Sequence, residues 1–125
     1  MFNKITVIGN LGNNPELRYT SDGKAVCSFS VATTGYNDVT TWIRVSVFGN
    51  QAEACNQFLT KGRQVYVEGR LSVDPNTGGP RMYTRQDGTV GTSFEMVAGQ
   101  VKFLGKMDYP AVAEGRVQEE DNVPF

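Results

Sequence analysis

Two stretches of the chain interleave aromatic rings with guanidinium groups. In Thr-Thr-Trp-Ile-Arg-Val-Ser-Val-Phe-Gly, residues 40–49, strand alternation puts Trp42, Arg44, Ser46 and Phe48 on one face and Ile43, Val45 and Val47 on the other. The aliphatic face reads as core. The other departs from an ordinary solvated strand, which would carry Thr, Lys or Glu rather than two large rings flanking a cation. Further on, Arg81, Tyr83 and Arg85 repeat the arrangement on a turn-bounded segment. Rings that expose a π face beside cations suit stacked nucleic-acid bases and their phosphates, because that chemistry does not depend on base identity. Tyr36, in the polar segment 34–39, offers one more exposed ring. A Tyr on a loop is usually incidental, and its nearness to Trp42 is what makes it a candidate.

Other chemistries find little support. The chain has no His, and its two Cys, Cys27 and Cys55, share no metal-ligand spacing, so neither a metal nor another cofactor is expected. Both thiols fall in apolar patterns and read as small core residues. No nucleophile elbow or phosphate-binding Gly-Lys-Ser/Thr loop is present and the carboxylates are scattered, which argues against an enzyme. No apolar run approaches membrane-spanning length and no secretory leader is recognisable, so a soluble, cytoplasmic protein without a membrane partner is expected.

The net charge of −1 and pI near 5.4 argue at face value against a polyanionic ligand. The distribution reverses that reading. Residues 1–105 carry ten Lys and Arg against eight Asp and Glu, a net +2, whereas residues 106–125 carry two against five, a net −3.

The elements that must position these side chains are strands. Residues 4–11 alternate and end in the breaker cluster Gly12-Asn13-Asn14-Pro15. Asp22-Gly23 marks a hairpin leading into a half-buried second strand, residues 25–34, with Ala25, Cys27, Phe29 and Val31 inward. The third strand is the stretch described above. A helix is expected from about residue 51 to residue 60, capped by Asn50 with Glu53 and stopped by Lys61-Gly62. A fourth strand follows over residues 64–73, with Val65, Val67, Leu71 and Val73 inward. Residues 74–91 make a long excursion, and the last strand, residues 92–104, is interrupted at Gly99 by a bulge or bend. Three strands, one helix and two strands give an all-β, five-stranded Greek-key OB-fold barrel with one short helix between strands three and four and an extended hairpin between strands four and five. The domain is expected to occupy residues 1–105, with a short flexible acidic tail at 106–125. In that tail, Glu120 and Asp121 precede Val123-Pro124-Phe125, so that acids, a ring and the chain carboxylate form a compact ligand for a partner protein.

Four motifs closely resemble the bacterial single-stranded DNA-binding protein family: Asn3-Lys4-Ile5-Thr6-Val7-Ile8-Gly9-Asn10-Leu11-Gly12, Pro15-Glu16-Leu17-Arg18-Tyr19, residues 41–49, and Lys61-Gly62-Arg63-Gln64-Val65-Tyr66-Val67-Glu68-Gly69. The acidic ending that finishes in Pro124-Phe125 does so too. The resemblance implies an OB-fold subunit of a homotetramer that wraps single-stranded DNA, and a tail that recruits DNA replication, recombination and repair proteins. Trp42 and Phe48 match the family's stacking positions and Arg44 the cation between them. Tyr83 stands near a stacking Trp and Tyr36 near a further aromatic position. Arg18, Arg81 and Arg85 complete the candidate DNA-binding set. Several positions depart from the pattern: Ile43 where a His often makes a subunit contact, Asn50 where a Lys often stands, an apparent insertion at residues 74–81, a nearly absent linker, and Asn122 in place of an acid. A competing reading is a paralogous OB module whose aromatic face takes a protein or an oligosaccharide.

Overall fold

A computed structural model describes residues 2–104. The tail residues Glu120, Asp121, Val123, Pro124 and Phe125, and the expected domain boundary at residue 105, lie outside the described residues. Seven strands and one helix follow in the order β1 (Ile5–Leu11), β2 (Glu16–Tyr19), β3 (Ala25–Thr34), β4 (Thr40–Phe48), α1 (Asn50–Phe58), β5 (Gln64–Ser72), β6 (Arg81–Thr84) and β7 (Val90–Leu104).

Five of these strands close a barrel. β1 pairs antiparallel with β5, β5 with β7 and β3 with β4, while β4 runs parallel to β7 and β1 returns to β3. This is the expected OB barrel. Closure depends on β1 serving two neighbours: Asn10 pairs with both β5 and β3, and Gly9 stands just before this handover. That residue faces Val65 on β5 while a Cβ there would stand 2.3 Å from the Ala32 carbonyl oxygen on β3, so only glycine lets the two strands cross so closely.

The two short strands were not resolved as separate elements by pattern alone. β2 pairs with the start of β3 and lengthens the first hairpin; β6 pairs with the start of β7, which therefore begins at Val90 rather than at residue 92. Together β6 and β7 form the extended hairpin. β3 is also more deeply placed than expected, because residues 25–29 are buried on both faces and only its second half alternates.

The interior is filled by Val7, Leu11, Phe29, Val31, Val45, Val47, Val65, Val67 and Met96. α1 packs against β3 and adds Ala52 and Cys55, with Leu59 just beyond its end. Asn50 does not cap this helix. Gly49, at φ 77°, holds the cap position, no side chain satisfies the first turn, and Asn50 is already helical. The helix also stops earlier than expected, at Phe58, because Leu59 is extended. Lys61-Gly62 shapes the following turn, where the Gly62 N–H donates to the Leu11 carbonyl at 2.9 Å. Cys27 and Cys55 are free, buried thiols; burial raises both, and Cys55 is pushed up to about 12.

β5 and β7 slip register between Glu68 and Gly69, where Gly99 is the extra residue on β7, the bulge expected at that position. Before the slip Val65 and Val67 are sealed. After it, Leu71 and Val73 are exposed rather than sealed in the core as expected, because β5 ends at Ser72 and they sit at the rim of the barrel.

Candidate nucleic-acid interface

β4 crosses the barrel exterior with its polar face outward. Register partners share a face, so the rows across the sheet can be read directly. Arg44 lies between Ser30 on β3 and Glu95 on β7; Trp42 faces Ala32; Phe48 faces Val26, which in turn faces Arg18 on β2. Inward-pointing Ile43, Val45 and Val47 fix the phase of the strand, and the phase fixes the outward set. The outward rings remain open to solvent, Trp42 at 54% and Phe48 at 42%.

A groove of about 400 Å³ runs between β4 and the β6–β7 hairpin. Trp42, Arg44, Tyr83, Phe94 and Glu95 line it, with Ser30 and Ser93 beside them. Three of the expected residues, Trp42, Arg44 and Tyr83, thus meet in one place. Phe48 and Arg18 stand at the other end of the same face; six residues of strand separate Phe48 from Trp42, roughly 20 Å, too far for one base to touch both. Tyr36 projects almost free of the protein in the β3–β4 loop and does not line the groove.

Arg81 and Arg85 have work inside the hairpin. The Arg81 Nε lies 3.9 Å from Glu95 Oε1, and its Nη1 donates to the Val73 carbonyl at 3.3 Å. The Arg85 guanidinium stacks 5.4 Å from the Tyr83 ring centre and donates to the Val90 carbonyl at 3.1 Å. It therefore orients Tyr83 as well as adding charge. At the turn below, hydrogen bonds from the Thr89 side chain and backbone N–H hold the Asp87 carboxyl below its ordinary value.

Three features were missed by pattern reading. Phe94, 58% exposed, borders the groove from the face of β7 that pairs with Ile43, and Glu95, on the face of Arg44, supplies a carboxylate whose Oε2 accepts from Ser93 Oγ at 2.8 Å. The available signal was a Phe-Glu pair in a strand that must border the third strand in an OB barrel. The third is Gly12. A Cβ there would stand 2.2 Å from Trp42 Cζ3 and 2.7 Å from Cη2, so the indole lies directly on the glycine, and that glycine is itself held by its N–H to the Ser30 carbonyl at 2.9 Å. Nothing short of this three-dimensional placement links residue 12 to residue 42.

The profile of the single-strand binding protein family matches residues 2–104, nearly the whole chain. The chain belongs to that family. Its members are binding proteins rather than enzymes. Similar proteins include the single-stranded DNA-binding protein of Neisseria meningitidis serogroup B, 40% identical over 111 residues, 82% of this chain and 60% of that protein. That of Xanthomonas campestris is 41% identical over 111 residues, again 82% of this chain and 60% of its own length. Single-stranded DNA-binding protein 1 of Chlorobaculum tepidum is 39% identical over 117 residues, 85% of this chain and 67% of its own. The chain thus spans about 60% of the length of the first two. Among the described residues no cluster of His, Cys, Asp or Glu could hold a metal ion, and no helix is long and apolar enough to cross a membrane.

Proposed function

We propose that this chain binds single-stranded DNA without reading a defined sequence. Trp42 and Tyr83 stack bases in the groove, with Phe94 at its border, and Phe48 continues the platform along β4. Arg44 and Arg18 neutralise phosphates on the same face, with Arg81, Arg85 and Tyr36 flanking the path. The observation that carries this reading is the convergence of two exposed rings, Trp42 and Tyr83, around Arg44 in one open groove, in a chain of the single-strand binding protein family. Each stacked base would contribute about 1–3 kcal/mol, and affinity would fall with salt as counterions are released.

The rest of the proposal follows the family resemblance. Residues 1–105 form the binding domain of a cytoplasmic, nucleoid-associated homotetramer, and the acidic tail at 106–125, ending Val123-Pro124-Phe125, recruits replication, recombination and repair proteins.

Trp42 is the only Trp and therefore reports on its own site. Titration with a long oligothymidylate at low salt should quench its fluorescence, and added salt should restore it. Fluorescence that ignores the oligonucleotide would sink the proposal and favour a protein or oligosaccharide ligand for the same face.

A further inference from the structure

Glu95 is out of place in a groove built for a polyanion. Phosphates repel a carboxylate, and the stacking and charge-neutralising functions proposed above are complete without it. Its position is nevertheless well defined. It is the register partner of Arg44 on β4 and of Ser72 on β5, it lines the groove with Trp42, Tyr83 and Phe94, and its side chain is 26% exposed. Ser93 Oγ holds Oε2 at 2.8 Å, while Oε1 lies 3.9 Å from Arg81 Nε, beyond hydrogen-bond reach, and so retains acceptor capacity. Rings that take the faces of bases leave the base edges to meet the polar groups between them. Here those groups are the Arg44 guanidinium, the Ser30 and Ser93 hydroxyls and the Glu95 carboxylate, of which Glu95 alone can only accept.

We propose that Glu95 biases this groove toward bases that carry an exocyclic amine and against thymine. The N4 amine of cytosine, and equally the N6 amine of adenine, donates to a carboxylate oxygen. Thymine offers one ring N–H flanked by two carbonyl oxygens, both of which meet the carboxylate acceptor to acceptor. The result is a composition bias laid over otherwise sequence-tolerant stacking, which by itself would favour no hydrogen-bonding edge. The inference rests on the single-stranded DNA reading.

The test compares oligodeoxycytidylate with oligothymidylate of equal length at one salt concentration, using the full chain, Glu95→Ala and Glu95→Gln. Substitution by Ala should lower the ratio of cytidylate to thymidylate affinity by about three- to tenfold, the range of one net hydrogen bond. Gln, which keeps a carbonyl acceptor in the same volume, should lower it less; it also supplies the readout if the Ala variant does not fold. Equal tightening of both oligonucleotides would make Glu95 a simple repulsive charge and overturn the proposal, as would an unchanged ratio. Failure of the unsubstituted chain to bind either oligonucleotide would instead overturn the DNA reading itself.

Discussion

Val65 and Leu71 stand on the same face of the same strand, yet Val65 is fully buried and Leu71 is 44% exposed. The difference lies in what faces them. Val65 points into a closed barrel filled by strands on every side and by α1 at one end. Leu71 pairs with the buried Met96 but lies beyond the Gly99 bulge, one residue before β5 ends, at the rim of the barrel next to the β6–β7 hairpin, where Val73, Met82, Val90 and Phe94 are exposed as well. Alternation tells which side a residue takes. Closure decides whether that side is an interior.

The barrel side of this comparison should respond far more strongly to truncation. Phe29→Ala removes a ring that is 1% exposed in the middle of the core and should destabilise the protein by about 3–5 kcal/mol in urea unfolding. Leu71→Ala should stay within about 0.5 kcal/mol, as for other exposed positions. A loss at Leu71 approaching that at Phe29 would show that the hairpin's apolar face is covered in solution, and the two regions would no longer differ in kind.

Between core and hairpin lies the groove, where one glycine joins the two. Gly12→Ala places a methyl group where the Trp42 ring now lies, so the indole must move off its seat. The barrel is untouched at this surface position, but single-stranded DNA affinity should fall by roughly tenfold, comparable to loss of one stacked base. Added to Trp42→Ala, the Gly12 substitution should do almost nothing further, because the ring it displaces is already gone. Additive losses would mean that Gly12 acts on the backbone of β1 instead, and the coupling of loop to platform would fail.

Most of the barrel was legible in the sequence because its signals are local. Period two in β4 and β5 placed Ile43, Val45, Val47, Val65 and Val67 correctly, Gly99 announced its bulge, and Asp22-Gly23 its turn. The inward reading of Leu71 and Val73 failed because the pattern continues unchanged to the end of the strand, where the rim of the barrel leaves that side open. The cap failed for a related reason: Asn50 and Glu53 have the right spacing, but Gly49 makes the turn from β4 and shifts the helix start by one residue. At the site, Trp42, Arg44 and Tyr83 were legible as ring and cation clusters, whereas Gly12, Phe94 and Glu95 join them only through β-sheet pairings distant in sequence.

The smallest expected effect concerns the hairpin tips and separates local strain from tertiary support. Three turns share one geometry. In each, the first residue's N–H donates to the carbonyl four residues on, as from Thr20 to Lys24, Gly35 to Val39 and Arg85 to Thr89, and the fourth residue's N–H donates back to the carbonyl of the first. That fourth residue must adopt positive φ. In two turns it is Gly23 or Gly88, at 89° and 90°; in the β3–β4 loop it is Asp38, at 61°. A side chain in this conformation is strained, although Asp tolerates it better than most residues. Asp38→Gly should therefore stabilise the protein by about 0.5 kcal/mol in urea unfolding, the relief of strain outweighing the added freedom of glycine in the unfolded chain. Destabilisation would show that the Asp38 side chain, rather than the turn geometry, holds the loop that carries Tyr36.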